Sequence, residues 1–191
     1  MAIVGAGGAR SAGEAIRGGA DLVQVRAKEL TSRDLARLVR EVIAEVGRAD
    51  RVLVNSRPDI AEITGALGVH LPESGLDPLS VRRSFPGLRI GVSRHDRAGL
   101  DRAKDEGADF ALLGPAFPTP GKEGRALGMI RLEETLKGLG LPVILVGGIT
   151  PANAATVIGA GAQGVAAIRP FEDPKVARSS AGAFRQTLSG V

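Results

Sequence analysis

A glycine-alanine turn followed by a short apolar run recurs along the chain and constrains its fold more than any other feature. The turns begin at Gly19, Gly65, Gly107 and Gly161, and they lead into the runs L-V-Q-V, V-H-L, F-A-L-L and V-A-A-I. Each glycine follows a helix-like stretch and suits a left-handed C-terminal cap. Each run has the composition of a buried parallel strand. The order helix, tight turn, strand is therefore predicted four times.

Four further apolar runs predict the remaining strands, at 2–4, 51–54, 88–92 and 142–146. The segments between strands predict helices, and the clearest spans Ser32–Val46, with one apolar stripe and Thr31 or Ser32 as its N-cap. Eight strands that alternate with about eight helices imply parallel strands joined by right-handed crossovers. We predict an α/β fold, a single compact (β/α)8 TIM barrel over residues 1–191, with an open doubly wound sheet as the alternative.

Composition narrows the classes of partner. The chain has 25 basic and 21 acidic side chains, and this mild excess suits anionic metabolites. Tyr and Trp are absent and no basic block stands alone, which disfavours nucleic acid. The absence of cysteine excludes disulfides and a cysteine nucleophile, and it fits a cytoplasmic protein. No apolar run of about 18 residues predicts a membrane span.

Polar side chains follow the predicted strands, and in a barrel these strand ends meet at one catalytic face. The candidates are Gln24, Arg26, Lys28, Asn55, His70, Ser93, Lys122 and Arg169. Each one alone is explained as a solvated loop residue or, for His70, as a satisfied core histidine. Their shared placement at a single end predicts a site.

A phosphate site is predicted after strands seven and eight. Gly147 and Gly148 lack side chains, so an anion can approach the backbone, and the next helix begins with a Thr-Pro pair suited to its first turn. Arg169 follows strand eight and can add a forked, charge-assisted contact. The alternative is that the glycines only permit tight packing and that Arg169 is solvated.

Taken together, these residues resemble the thiamine-phosphate synthase and TenI family. The matching blocks are V-Q-V-R-A-K, V-N-S-R-P-D-I-A, G-V-H-L-P, I-G-V-S-R-H, G-P-A-F-P-T-P-G-K-E-G, V-G-G-I-T-P-A-N and G-A-Q-G-V-A-A-I. The resemblance implies a (β/α)8 barrel, usually a homodimer. The synthase of this family joins a pyrimidine diphosphate to a thiazole phosphate and releases pyrophosphate.

The resemblance also implies roles for individual residues. Those that would hold the pyrimidine diphosphate are Gln24, Arg26, Lys28 and Asn55. Ser93 and Lys122 would act at the pyrophosphate or the reacting centre. The thiazole phosphate would lie against Thr119, Gly148 and the end of strand eight.

Two departures from the synthase pattern concern magnesium. Ser56 and Gly75 stand where the synthase carries its two metal-binding aspartates, and the same losses are typical of the TenI branch. That branch includes thiazole tautomerases, which move a proton on a thiazole carboxylate phosphate without metal. Its catalytic histidine follows the strand-six glycine, where this chain has Pro115.

The resemblance is therefore closer to the TenI branch, and a metal-independent thiazole tautomerase, an isomerase, is the first prediction. It needs no cofactor, and its ligand is a phosphorylated thiazole. Pro115 carries no base, so we predict His70 as the base and Lys122 as the clamp for an anionic group. The alternatives are a thiamine-phosphate synthase, which would need magnesium, and a non-catalytic phosphate-ligand binder or regulator.

Overall fold

The structure is a computed structural model that describes residues 1–121 and 124–190. Eight parallel strands form one sheet in sequence order. The strands are β1 Ala2–Val4, β2 Val23–Val25, β3 Val52–Asn55, β4 Gly68–Leu71, β5 Arg89–Arg94, β6 Phe110–Leu113, β7 Val143–Val146 and β8 Gly164–Ala166. A parallel bridge between Ala2 and Ala167 joins the last strand to the first, and the Ile3 amide donates to the Ala167 carbonyl at 3.0 Å. The predicted eight-stranded barrel is confirmed; that residues 1–191 form one domain stays a prediction.

A helix follows each strand, as the alternation predicts. The helices are α1 Ala9–Arg17, α2 Ser32–Val46, α3 Pro58–Thr64, α4 Pro78–Ser84, α5 Arg97–Asp105, α6 Gly128–Leu136, α7 Pro151–Gly159 and α8 Pro174–Leu188, with short 3₁₀ helices at Ala49–Arg51 and Arg169–Phe171. Helix α2 has the predicted bounds. Thr31 is its N-cap, because Thr31 Oγ1 accepts a hydrogen bond from the Asp34 amide at 3.2 Å. Within the described residues, no helix has both the length and the apolar character needed to cross a membrane.

Strand β8 ends earlier than the predicted run at 165–168. It stops at Ala166, and Ile168 takes a helical ψ of −65° that leads into the 3₁₀ helix Arg169–Phe171. Strand β5 runs later than predicted and includes Ser93 and Arg94. Both differences lie at the carboxyl ends of the strands, which together with the loops that follow them we call the mouth. The observed strand bounds therefore differ from those predicted by the apolar runs mainly at the mouth.

Two separate apolar clusters lie on the two sides of the strands. The larger one fills the layer between strands and helices. The smaller one joins Ile3 of β1 to Leu112 of β6 and Ala166 of β8, with Phe110 and Ile144 packed against it. Because β1 and β6 are not neighbours in the sheet, these side chains can meet only across the barrel interior. This half of the interior is apolar, whereas the half formed by β2 to β5, which we call the polar half, carries Gln24, Asn55, His70 and Ser93 beside the buried Leu53.

Candidate functional site

Four predicted site residues meet inside the polar half of the barrel. Gln24 lies in β2, Asn55 ends β3, His70 lies in β4 and Ser93 lies in β5. Gln24 Nε2 donates to Asn55 Oδ1 at 3.2 Å and lies 3.0 Å from His70 Nδ1. His70 Nε2 in turn lies 3.3 Å from Ser93 Oγ. We call these four side chains the polar network.

The polar network leaves one buried acceptor unused. Gln24 is only 1% exposed, and its Oε1 has no hydrogen-bond partner. A buried polar atom without a partner is destabilising by about 1–3 kcal/mol. The hydrogen bonding of Gln24 is therefore incomplete in this structure.

His70 is buried, and this burial governs its charge. Its side chain is 4% exposed, and desolvation lowers the pKa of the imidazole from 6.5 to about 4. The charges of Arg26 and Arg94 also lower this pKa, while a hydrogen bond with the Val92 backbone raises it. His70 is therefore neutral at neutral pH. A base with so low a pKa, with both ring nitrogens in contact with neighbours, is poorly suited to take a proton from substrate.

Ser56 holds the end of β3 in an unusual backbone conformation. Its φ is 65°, in the left-handed region that side chains rarely adopt. Its amide donates to the His70 carbonyl at 2.8 Å, and its Oγ accepts from Asn55 Nδ2 at 2.7 Å. The sequence pattern did not reveal this strain, because serine gives no signal for a positive φ.

A second group of predicted residues forms a cavity on the other side of the mouth. The cavity has a volume of about 560 Å³, and its lining includes Gly147, Gly148, Thr119, Arg169, Ile149, Thr150 and the four prolines Pro115, Pro118, Pro120 and Pro170. Arg169 Nη2 donates to Thr119 Oγ1 at 3.3 Å across the opening. We call Thr119, Gly147, Gly148 and Arg169 the cradle.

The two cradle glycines are required by close packing. Both have positive φ, 93° for Gly147 and 66° for Gly148. A Cβ at Gly147 would lie 2.7 Å from Pro115 Cβ, and one at Gly148 would lie 2.7 Å from Phe117 Cβ. The sequence analysis explained these glycines by the approach of an anion to the backbone. In the structure, their missing side chains make room for the proline-rich loop after β6. That loop, the start of α7 and the residues after β8 then border the cavity together.

Arg26 and Lys28 are exposed just beyond β2. Arg26 lines a separate cavity of about 350 Å³ beside the glycine-rich loop after β1. This cavity and the cradle cavity share Ile168 and Glu172 in their linings. Arg26 is also close enough to the polar network to lower the pKa of His70. The predicted second cationic region therefore lies at the mouth.

The contacts of His95 were not predicted from the sequence, because a histidine among charged residues suggests a solvent-exposed side chain. Its Nδ1 lies 2.6 Å from the Gly114 carbonyl oxygen, and its Nε2 lies 3.4 Å from the Glu73 carboxylate. His95 thus connects the loop after β4 to the start of the loop after β6. Lys122, the predicted clamp in the latter loop, lies outside the described residues.

The donor set around the mouth does not fit magnesium. Mg²⁺ prefers carboxylate and other oxygen ligands in octahedral geometry. The described residues contain no group of three or more His, Cys, Asp or Glu side chains that could hold a metal ion. Ser56 and Gly75 stand at the predicted ligand positions, and Glu73 is engaged by His95.

Comparison with known proteins identifies the family. The family model described as thiamine monophosphate synthase matches residues 4–171. The chain belongs to this family. A putative thiamine-phosphate synthase of Geobacter sulfurreducens is 44% identical over 161 residues, covering 81% of this chain and 74% of the relative. The thiamine-phosphate synthase of Thermus thermophilus is 36% identical over 180 residues, covering 93% of this chain and 87% of the relative.

A solved structure agrees with the barrel. The thiamine phosphate pyrophosphorylase from Pyrococcus furiosus superposes with a TM-score of 0.87 at 24% identity, covering 99% of this chain and 95% of that one. At this identity the likeness supports the fold alone. The family resemblance is thus confirmed. These relatives bear the names of synthases, so they favour the synthase alternative over the predicted TenI-type isomerase.

Proposed function

We propose that this chain is a thiamine-phosphate synthase, which joins a pyrimidine diphosphate to a thiazole phosphate and releases pyrophosphate. The observation that supports the proposal is that the cradle and the polar network lie in one mouth. The cradle offers a cation and a hydroxyl to a phosphate, and the polar network offers amide and hydroxyl groups to a heterocycle. The names of relatives at 36–44% identity support the same reaction.

Each subsite has a distinct task in this reaction. The cradle would bind the phosphate of the thiazole through Arg169 and Thr119, near the start of α7, where the helix dipole favours an anion. Gln24 and Asn55 would orient the pyrimidine. The carbon–oxygen bond to the diphosphate breaks and its electron pair leaves with pyrophosphate, while the lone pair of the thiazole ring nitrogen forms the new bond to that carbon. Arg26 and Lys28, exposed just beyond β2, would stabilise this developing charge.

A metal-independent thiazole tautomerase is the second candidate. The observation in its favour is the donor set, which does not fit magnesium within the described residues. A proton shift on a thiazole carboxylate phosphate needs no diphosphate and no metal. His70 is a weak candidate for its base because burial lowers the pKa of His70 to about 4. The homodimer, the absence of a cofactor and the clamp role of Lys122 stay predictions.

The test supplies the purified chain with thiazole phosphate and pyrimidine diphosphate, with and without Mg²⁺, and measures thiamine phosphate and pyrophosphate by mass spectrometry. We expect both products. We also expect Arg169→Ala to raise the KM for thiazole phosphate about tenfold or more, the loss of one charge-assisted contact. The matched control is Arg131→Ala, which removes an exposed arginine of α6.

A parallel incubation contains only the thiazole carboxylate phosphate. Its isomerisation, with no thiamine phosphate formed at any Mg²⁺ concentration, would replace the synthase by the tautomerase. Phosphate binding without either reaction would leave the chain as a binder.

A further inference from the structure

Hydrogen bonding in the polar network determines where the single proton of the neutral His70 ring lies. Asn55 Nδ2 donates to Ser56 Oγ at 2.7 Å, which leaves Asn55 Oδ1 as the acceptor for Gln24 Nε2 at 3.2 Å. Gln24 therefore presents its amino group, and not its oxygen, to His70 Nδ1 at 3.0 Å. A neutral imidazole has one acceptor and one donor. His70 Nδ1 is thus the acceptor, and the proton lies on Nε2.

The proton on Nε2 has a consequence for Ser93. His70 Nε2 lies 3.3 Å from Ser93 Oγ, and its N–H is shared between that oxygen and the Val92 backbone, so Ser93 cannot donate to the ring. A hydroxyl that accepts one hydrogen bond still has its own proton to donate. Ser93 is half-buried near the end of β5, so its hydroxyl proton can be donated into the mouth.

We propose that His70 is a positioning residue which, through Gln24 on one side and Ser93 on the other, makes Ser93 a hydrogen-bond donor to an anionic oxygen of the ligand. The inference rests on the proposed function, in which that oxygen belongs to the diphosphate. His70 does not take a proton from substrate in this role. It keeps Ser93 from donating to the ring, and a neutral, buried ring is what the role requires.

The first measurement is nuclear magnetic resonance of the unliganded wild-type chain. The chain has two histidines, so a His95→Gln variant assigns the ¹⁵N signals of His70. We expect the Nε2-protonated tautomer at pH 7, with no titration of His70 between pH 5.5 and 8. An Nδ1-protonated ring, or a titration near pH 6.5, would overturn the inference.

The second measurement is calorimetric affinity for inorganic pyrophosphate in four variants. We expect Ser93→Ala and His70→Leu each to weaken binding about tenfold, because each removes the same directed hydrogen bond to a charged group. The double variant should be no weaker than either single variant, since the two residues act through one contact. His70→Gln keeps an acceptor and a donor, and should retain affinity within about threefold of wild type.

The outcomes separate this inference from the proposed function. Losses that multiply in the double variant, or a His70→Gln variant as weak as His70→Leu, would overturn the positioning role. Circular dichroism identifies any variant that has not folded, and the tautomer of the wild-type ring decides the question without any substitution. Thiamine phosphate formation without coupling between His70 and Ser93 refutes the inference. Coupling without thiamine phosphate formation refutes only the synthase.

Discussion

At the scale of single residues, Ser56 shows how a site can be stabilised against backbone strain. Among the described residues it is the one non-glycine with a positive φ. Strain of this kind is destabilising by about 1–3 kcal/mol and persists where the surroundings hold it. Here the hydrogen bonds to the His70 carbonyl and from Asn55 provide that support. The same bonds fix Asn55 beside Gln24, so the strained residue helps to orient the polar network.

Two substitutions at Ser56 separate strain from hydrogen bonding. Ser56→Ala and Ser56→Gly both lose the acceptor for Asn55, but only glycine relieves the positive φ. We expect the glycine variant to have a free energy of unfolding about 1 kcal/mol higher than the alanine variant. Urea denaturation of both variants measures the difference. The same pair at Ser74, an exposed residue whose φ is not positive, should show no advantage for glycine; an alanine variant at Ser56 as stable as the glycine variant would contradict the strain.

At the scale of elements, helix α2 begins and ends at residues whose conformation and hydrogen bonds define its two ends. Thr31 caps the first turn. Gly47 ends the helix with a φ of 75°, and its amide donates to the Ile43 carbonyl. The apolar stripe between these ends includes the buried residues Leu35, Leu38, Val39 and Val42. Boundaries and stripe together explain why the sequence predicts this helix at its observed bounds.

Gly47→Ala tests the C-terminal boundary of α2. A Cβ at Gly47 would meet no atom within 4 Å, so the change acts through backbone conformation alone. We expect the free energy of unfolding to fall by about 1 kcal/mol. Gly87→Ala is the matched control, because a Cβ there also meets nothing and its φ is not positive. Equal stability of the two variants in urea denaturation would refute the expectation.

At the scale of the whole molecule, the buried His70 links folding to pH. The unfolded chain protonates this residue below about 6.5, whereas the folded chain keeps it neutral down to about 4. The unfolded state therefore binds more protons in this window, and the free energy of unfolding falls as the pH falls through it. The contribution of His70 over the whole window is about 3 kcal/mol.

His70→Gln should remove this part of the pH dependence. Urea denaturation at pH 7.5 and at pH 4.5 gives the loss of stability for wild type and variant. We expect the wild-type loss to exceed that of His70→Gln by about 2–3 kcal/mol. Ser74→Ala, at an exposed residue that does not titrate, is the control and should lose as much as wild type. A variant at His70 with the wild-type pH dependence would show that the ring is not buried in the neutral form.

Repetition in the sequence made the barrel predictable, and its absence at the mouth limited the prediction of the site. The glycine-alanine turns and apolar runs recur along the chain, so errors at one strand do not change the fold. The positive φ of Ser56, the unpaired Gln24 Oε1 and the packing of Pro115 on Gly147 each depend on residues distant in sequence. The placement of Gln24, Asn55, His70 and Ser93 together followed from the shared strand ends; which atom donates to which did not.

The two subsites of the proposed function come from separate stretches of the chain. The polar network comes from residues 24 to 93, and the cradle comes from residues 119 to 169. Substitutions that alter the choice of heterocycle can therefore accumulate in the first half without disturbing the anchoring of a phosphate in the second. A chimera that takes β1 to β5 from a relative should keep this chain's affinity for the thiazole phosphate. It should acquire the relative's preference among pyrimidines. Exchange of one half of the barrel would then change the specificity for one substrate and leave the binding of the other unchanged.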